Sequence, residues 1–395
     1  MTTKRNGALS FWAFIFCMII VVHYAYFFKP SAAESASFFF YRGDLAFDFF
    51  FILAGVLLAK SVNAVPEDRP LCAKEFGGFL KGRLRWYLPG LALCWIGTFI
   101  VLNYVCRIDA KTTATNFFAG VLELLPLHGA GFEIMPAEEN ALVGYRVMDQ
   151  AWALAAVMLA YFVLYPLYRS DRKRFEYYIA PVGAALLLAF LFFRTHVLSF
   201  DKVLLLDAKS KLMYLFPPGT YKVFGEVLAG AACYAVARHF SKKPVSKGVS
   251  HLLSLAEIGC YLGAILYMQF MLRFEIPKRY DYLAAGCILL GIFLSLSGQS
   301  SVSRLFDHKF FYALGRFSLY PFLTFMVFTK TLPYFIHGMG MKKLTLIYVG
   351  LTLASAVVVM LLEKPFVRLV KSAKKLFIGS GSAKTGADLT EKESV

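Results

Sequence analysis

The clearest indication of the fold is the segment Gly43-Asp44-Leu45-Ala46-Phe47-Asp48-Phe49-Phe50-Phe51-Ile52-Leu53-Ala54-Gly55. It is an apolar run that contains two carboxylates, Asp44 and Asp48, and His23 lies near the end of the apolar run before it. Because hydrocarbon accommodates ionisable side chains poorly, such residues inside apolar runs are candidates for function. The stretch therefore predicts chemistry within a membrane.

Composition predicts the same environment for the whole chain. Of the 395 residues, 58% are hydrophobic and only 17% are charged, and the mean hydropathy is +0.60. These values predict an all-α fold, a polytopic integral membrane helical bundle with about ten transmembrane helices of roughly 20 residues each. The expected spans lie near Leu9–Phe28, Leu45–Val62, Trp86–Cys106, Asp149–Tyr168, Glu176–Phe193, Pro217–Ala237, Leu252–Leu272, Tyr282–Gly298, Phe311–Phe335 and Leu344–Leu362. Residues 1–365 form this transmembrane domain, and residues 366–395 are expected to be a basic juxtamembrane segment with a disordered cytoplasmic tail.

The distribution of basic residues predicts that both termini are cytoplasmic. Lys and Arg are more frequent in the amino terminus, the even-numbered loops and the tail than in the odd-numbered loops, and the short loop Arg169–Arg174 is the sharpest example. We interpret the first apolar run as a span, since about 20 residues exceed the apolar core of a cleaved signal peptide. The net charge of +17 is spread over the loops. That spread favours membrane lipids or an anionic cytosolic ligand and argues against nucleic acid.

His23 and Asp48 are the candidate catalytic residues. A neutral imidazole in the outer half of a span could act as a general base towards a hydroxyl group, and a carboxylate on the next helix could orient the ring. The structural alternatives are a histidine that hydrogen-bonds across a helix interface and an aspartate that caps its helix. For Asp44, at the helix start, the cap is the favoured interpretation.

Other charges have candidate supporting roles. Lys81, Arg83 and Arg85 precede the third span on the predicted cytoplasmic side and could bind phosphates, although positive-inside anchoring is the alternative. Lys222 and Glu226 are spaced i,i+4 and could neutralise one another. Arg316 and Lys330 show no partner in the sequence, and Arg316 could donate to an oxyanion. The seven cysteines show no metal-ligand spacing, so no metal site is expected.

The order of motifs resembles the membrane-bound acyltransferase family 3, whose members move acyl groups, commonly acetyl, onto sugar hydroxyls of surface glycans. The resemblance runs from His23 to Pro365. Its parts are Val21-Val22-His23, Asp48 to Gly55, Phe79 to Pro89, Trp152-Ala153-Leu154 with Tyr165-Pro166, Leu314-Gly315-Arg316-Phe317-Ser318-Leu319-Tyr320 and Leu362-Glu363-Lys364-Pro365.

The resemblance implies that His23 is the catalytic base and that the segment around Arg83 and Arg85 faces an acyl-coenzyme A donor, with no bound cofactor. It also implies a cell membrane location, in bacteria the plasma membrane. Three positions depart from the family pattern. Trp12 stands where relatives usually have an arginine, Val157 where they often have a glutamate, and Ala54 where they usually have a serine.

These observations predict an integral membrane O-acyltransferase, with O-acetylation from acetyl-CoA the favoured reaction. The acceptor would be a carbohydrate hydroxyl of a cell-surface polysaccharide or glycolipid, and the outer loop Arg107 to Arg146 would contribute to its site. The rival interpretations are a transporter or flippase for a glycan or lipid-linked precursor and a catalytically inactive relative. Release of coenzyme A would separate the first interpretation from both rivals.

Overall fold

The computed structural model describes residues 6–25, 39–101, 150–195, 218–242, 245–332, 335 and 339–382, and every regular element in these ranges is helical. The outer loop from Arg107 to Arg146 and the tail after Ser382 lie outside the described residues. The helices are α1 (Gly7–His23), α2 (Ala46–Asn63, after a 3-10 turn at Gly43–Leu45), α3 (Ala73–Ile100), α4 (Ala151–Ser170), α5 (Arg172–Arg174, a π-helical Phe175–Ile179 and Ala180–Thr195), α6 (Pro218–Phe240), α7 (Lys247–Phe270), α8 (Asp281–Ser297), α9 (Ser301–Leu305), α10 (Lys309–Phe317), α11 (Leu319–Thr331) and α12 (Met341–Ser382).

Local sequence signals set several helix ends. The side chain of Asn6 accepts a hydrogen bond from the backbone N–H of Leu9, 3.0 Å away, and so caps the start of α1. Ser246 caps α7 in the same way. Gly298 follows α8 with a φ of 63°, a left-handed conformation that glycine adopts at little steric cost.

The chain is a multi-pass membrane protein. In the described ranges, seven helical segments are long and apolar enough to cross a membrane. They contain α2, α4, α5, α7, α8, the α10–α11 pair and α12. Helix α1 is a shorter apolar helix, and α3 and α6 are long helices of 28 and 23 residues that include charged side chains. The predicted all-α polytopic fold is thus confirmed. Helix α12 continues through Pro365 to Ser382, so the basic segment that begins at residue 366 extends the last membrane helix.

Helix α1 distinguishes the two ends of the bundle. We call the end where α1 begins at Gly7 the inner end, which the basic residues predict to be cytoplasmic. The outer end is the one where α1 ends at His23. Helix α2 therefore begins at the outer end, and so do α6 and α8, which pack against it.

Helix α2 lies at the centre of the bundle. The apolar window of its span is 72% buried, against 28% for each of the spans of α5, α7 and α12. Its closest neighbour is α6, and two glycines permit the contact. A Cβ atom on Gly55 would lie 1.9 Å from the carbonyl oxygen of Val227, and one on Gly230 would lie 1.9 Å from that of Ile52. Small residues of this kind let membrane helices pack backbone to backbone.

Replacing Gly230 by Ala should therefore destabilise the protein, because the new methyl group meets backbone that cannot rotate away. Overpacking of this type costs about 1–3 kcal/mol. We expect the apparent Tm of the purified protein in detergent to fall by several degrees. Gly259→Ala, on α7, is the matched control, since a Cβ there meets no atom within 4 Å. Equal Tm values for the two variants would contradict the close α2–α6 contact.

Candidate active site

His23 is held by a backbone carbonyl group. It is the last residue of α1 and is 8% exposed, and its Nδ1 lies 2.8 Å from the carbonyl oxygen of Phe40. Because a carbonyl oxygen only accepts hydrogen bonds, Nδ1 must carry the proton. The neutral ring then has its lone pair on Nε2, the form that a general base or nucleophile requires.

The backbone can approach the ring because of Gly43. A Cβ atom at Gly43 would lie 2.4 Å from the Cβ atom of His23. The carbonyl oxygen of Phe40 also accepts the backbone N–H of Gly43 at 2.8 Å, which closes the turn. Gly43 is therefore the residue that lets the start of α2 pack against the histidine.

Asp48 pairs with a lysine on α6. Its carboxylate is completely buried, and the Nζ atom of Lys222 lies 2.5 Å from its Oδ1 atom. The sequence suggested that Asp48 orients the His23 ring, but in the structure Nδ1–H donates to the carbonyl oxygen of Phe40 and the ion pair of Asp48 is with Lys222. No sequence pattern indicated this pair, because it joins helices that are distant in the chain. Glu226 lies 3.8 Å from Lys222, so the expected i,i+4 pair is present as the longer of the two contacts.

A second ion pair lies at the same outer end. Arg42, 2% exposed, hydrogen-bonds the Oδ2 atom of Asp281 at the start of α8. Asp44 lies 3.5 Å from the same guanidinium group, and the hydroxyl of Tyr267 donates to the Oδ1 atom of Asp281 at 2.8 Å. The expected cap at Asp44 is wrong, since α2 has no side-chain cap hydrogen bond and Asp44 faces Arg42 instead. Sequence inspection missed Arg42 and Asp281, which lie just outside the apolar runs.

Together these residues form what we call the outer charge network, consisting of Arg42, Asp44, Asp48, Lys222, Glu226 and Asp281. All six side chains are at most 8% exposed. Ionisable groups buried at membrane depth are costly and usually serve a function. Here they join the start of α2 to α6 and α8 beside His23. In the part of the chain that the structure describes, no group of three or more His, Cys, Asp and Glu side chains could hold a metal ion.

The three basic residues proposed for the acyl donor have different surroundings. Arg83 donates to the carbonyl oxygen of Leu57 at 3.1 Å and to the hydroxyl of Ser61 at 2.6 Å, and lies over the rings of Phe79 and Tyr161. It therefore fastens α3 to the inner half of α2. Lys81 and Arg85 are exposed and four residues apart, which places them on one helix face. Of the three basic residues, these two have their side chains exposed at the surface.

The inner end of α3 is fixed to α4 by Glu75. Its Oε1 atom accepts hydrogen bonds from the hydroxyl of Tyr165 at 2.8 Å and from the Nε atom of Arg169 at 2.9 Å. Burial raises the pKa of Glu75, but these hydrogen bonds and the charge of Arg169 outweigh burial and hold the pKa below its ordinary value. Glu75 is thus ionised at neutral pH and keeps the segment with Lys81 and Arg85 in place. Arg169 also donates to the carbonyl oxygen of Arg69 and so secures the preceding loop.

Arg316 does not join the outer charge network. It is exposed at the end of α10, and its neighbour Gly315 packs on Ser10 near the start of α1. Phe325 contacts Tyr24, the residue after His23. Arg316 precedes Phe325 by nine residues, which at 1.5 Å per residue places it roughly 13 Å closer to the inner end. This placement does not support Arg316 as an oxyanion donor to a reaction at His23. The side chain of Lys330 lies outside the described residues.

The structure places the three residues that depart from the family pattern in or against the apolar core. Trp12 stacks on Tyr261 with ring centroids 4.3 Å apart. Val157 packs against the core from a partly buried position. Ala54 is buried on α2, and its carbonyl oxygen accepts the hydroxyl of Tyr161 at 2.9 Å.

Comparison with known families decides the assignment. A family profile described as an acyltransferase domain matches residues 13–364, nearly the whole chain. The chain belongs to the membrane-bound acyltransferase family 3. The match includes His23, the outer charge network and the segment with Lys81 and Arg85. The protein is accordingly a membrane acyltransferase. Searches of curated proteins and of solved structures found no match.

The Asp48–Lys222 pair yields a prediction about stability. Lys222→Met would leave the buried carboxylates of Asp48 and Glu226 without their cation, and breaking a buried ion pair from one side costs about 3–5 kcal/mol. We expect a marked fall in the detergent Tm and a partial recovery in the double variant Asp48→Asn/Lys222→Met, because the closer of the two carboxylates is then removed as well. Lys278→Met, an exposed lysine at the outer end, is the control. Additive losses in the double variant would show that the two side chains do not interact.

Proposed function

We propose that this membrane acyltransferase moves an acyl group, acetyl in the first instance, from acyl-coenzyme A to a carbohydrate hydroxyl of a surface polysaccharide or glycolipid. Family membership supports acyl transfer in general. The observation that carries the mechanism is the hydrogen bond from His23 Nδ1 to the Phe40 carbonyl, which leaves Nε2 as the basic atom. The proposal places the protein in the plasma membrane with both termini cytoplasmic.

In the proposed reaction, Nε2 of His23 takes the proton of the acceptor hydroxyl as its oxygen attacks the thioester carbonyl. The C–S bond then breaks, and the imidazolium returns the proton to the departing thiolate of coenzyme A. The Phe40 carbonyl supports this cycle, since it accepts the Nδ1–H of both the neutral and the charged ring. A positioned base of this kind contributes about 10²–10⁴-fold in rate.

The same ring can also act as a nucleophile. Nε2 would attack the thioester carbonyl, the C–S bond would break, and coenzyme A would leave as the thiolate. The oxygen of the acceptor hydroxyl would then take the acyl group as the C–Nε2 bond breaks, and the hydroxyl proton would pass through solvent to the thiolate. Both routes use the same tautomer, and both return His23 unchanged. They differ in whether coenzyme A is released before the acceptor binds.

The donor must reach far into the bundle from the inner end. Helix α1 rises about 24 Å from Gly7 to His23 at 1.5 Å per residue. We propose that Lys81 and Arg85 bind the phosphates of coenzyme A while its pantetheine arm extends between the helices towards His23. Coenzyme A is then a substrate, and the chain needs no bound cofactor for this chemistry.

His23→Ala should abolish acyl transfer while the protein still folds, because the ring supplies the base and its loss leaves only a small space at the end of α1. Mass spectrometry of surface glycans and lipids would compare cells with the intact protein, without it and with the variant. We expect the acyl mass increment in cells with the intact protein, and not in cells without it or with His23→Ala. The size of the increment identifies the acyl group. His251→Ala, which changes an exposed histidine at the inner end of α7, should retain the increment.

The same experiment tests the alternatives. An increment that persists in His23→Ala would remove this residue from the mechanism. If no sample carries an increment, purified protein in vesicles would be assayed for movement of a glycan lipid without covalent change, the result that a transporter or flippase predicts. No increment and no movement would indicate an inactive relative.

The double variant Lys81→Ala/Arg85→Ala should weaken donor binding and leave the chemical step intact. Two lost charge-assisted contacts, at about 1.5–3 kcal/mol each, predict a rise of at least tenfold in the KM for acyl-CoA with little change in kcat. Lys278→Ala/Arg279→Ala removes two exposed cations at the outer end and should change neither constant. An equal effect of the two double variants would contradict a donor site on α3.

A further inference from the structure

We infer that Gln269 and Arg42 are positioning residues, which fix the ring of His23 by holding a strained backbone turn at Phe40. The inference rests on the proposed role of His23, and it assigns functions to the end of α7 and to the residue before Gly43.

The turn that holds His23 is strained. Phe40 has a φ of 53°, in the left-handed region that non-glycine residues rarely occupy and that bulky side chains disfavour. Such conformations persist only where the surroundings hold them, and they concentrate at functional sites. The strained residue is the one whose carbonyl oxygen accepts the Nδ1–H of His23. Without support, the turn would relax and the carbonyl would leave the ring.

The end of α7 supplies that support through three consecutive residues. The side-chain Oε1 atom of Gln269 accepts the backbone N–H of Phe40 at 2.8 Å, and the carbonyl oxygen of Met268 accepts the backbone N–H of Arg42 at 3.1 Å. The hydroxyl of Tyr267 reaches the same turn indirectly, because it donates to Asp281, the partner of Arg42. The last turn of α7 thus contacts both sides of the carbonyl that His23 uses.

The side chain of Arg42 fixes the turn from the other direction. Its guanidinium group is buried between Asp281 and Asp44, so the backbone of residue 42 cannot move without breaking an ion pair in a water-poor site. Gly43 then places its backbone against the His23 side chain, where a Cβ would lie 2.4 Å from that of the histidine. Phe40 and its carbonyl are therefore held between an anchored arginine and a glutamine.

This arrangement controls which nitrogen of His23 is basic. With the Phe40 carbonyl in place, the proton is on Nδ1 and the ring lone pair is on Nε2. If the carbonyl moved away, the neutral ring could exchange tautomers, and a fraction of the molecules would present a protonated Nε2 that cannot act as a base. Gln269 and Arg42 act on the reaction only through this turn.

The test compares purified full-length protein with single and double variants. Gln269→Leu removes the acceptor for the Phe40 N–H. Phe40→Gly makes the left-handed conformation free of steric cost, and the third variant combines the two changes. Gln299→Leu is the matched control, since Gln299 donates to the carbonyl oxygen of Phe240 at the inner end. The readouts are kcat and KM for acetyl-CoA, the detergent Tm, and the tautomer of His23 by ¹⁵N NMR, assigned by comparison with His23→Gln.

We expect Gln269→Leu to lower kcat at least tenfold with an unchanged KM and a Tm close to that of the wild type. In the Phe40→Gly background the same substitution should cost less than threefold, because glycine does not need the support. The NMR signal of His23 should show the Nδ1–H tautomer in the wild type and in Gln299→Leu, and a mixture in Gln269→Leu. Arg42→Lys, which keeps the charge beside Asp281, should retain more activity than Arg42→Gln.

Two results would overturn the inference. One is a Gln269→Leu variant with the kcat or the His23 tautomer of the wild type, and the other is an equal cost of that substitution in both backgrounds. Failure of the proposed function has a different signature, namely no acyl transfer by the wild type. In that event the NMR measurement still decides whether Gln269 positions the ring.

Discussion

The contact between α2 and α6 is the constraint on which the rest of the structure depends. Gly55 and Gly230 let the two backbones touch, and about two turns nearer the outer end the ion pair of Asp48 and Lys222 joins the same helices. In a membrane, apolar side chains gain little by leaving lipid for protein, so close packing and polar contacts must specify which helices pair. The α2–α6 contact provides both, and the Gly43 turn that leads into α2 is thereby placed beside His23.

We interpret the buried charges at the outer end as fixing the positions of backbone segments more than as stabilising the fold. Replacing buried ion pairs by apolar residues is often neutral or stabilising in proteins, so their presence is weak evidence of a stabilising role. In this protein the pair of Arg42 and Asp281 anchors one short turn, in which the Phe40 carbonyl accepts the Nδ1–H of His23. That backbone carbonyl sets the tautomer of the histidine.

The fold could be predicted from the sequence more fully than the site. Hydropathy and the positions of basic residues indicate a helical membrane bundle, since the bilayer restricts which structures can span it. His23 and Asp48 were identifiable as ionisable residues in apolar runs, but their partners were not. Lys222 meets Asp48 across a long sequence separation. The carbonyl that holds His23 belongs to the backbone, and sequence patterns carry little information on the position of a single carbonyl group. Arg83 faces α2, although Lys81 and Arg85 on the same helix are exposed.

The proposed mechanism requires that Nε2 of His23 is the reacting atom of an acyl transfer. The decisive measurement is the rate at which purified protein releases coenzyme A from acetyl-CoA in the presence of a carbohydrate acceptor. It compares the wild type with His23→Ala, and equal Tm values of the two proteins establish that the variant is folded. We predict release coupled to acylation of the acceptor by the wild type, and a loss of at least a hundredfold in the variant. Equal rates for the two proteins, or no release by the wild type, would contradict the claim.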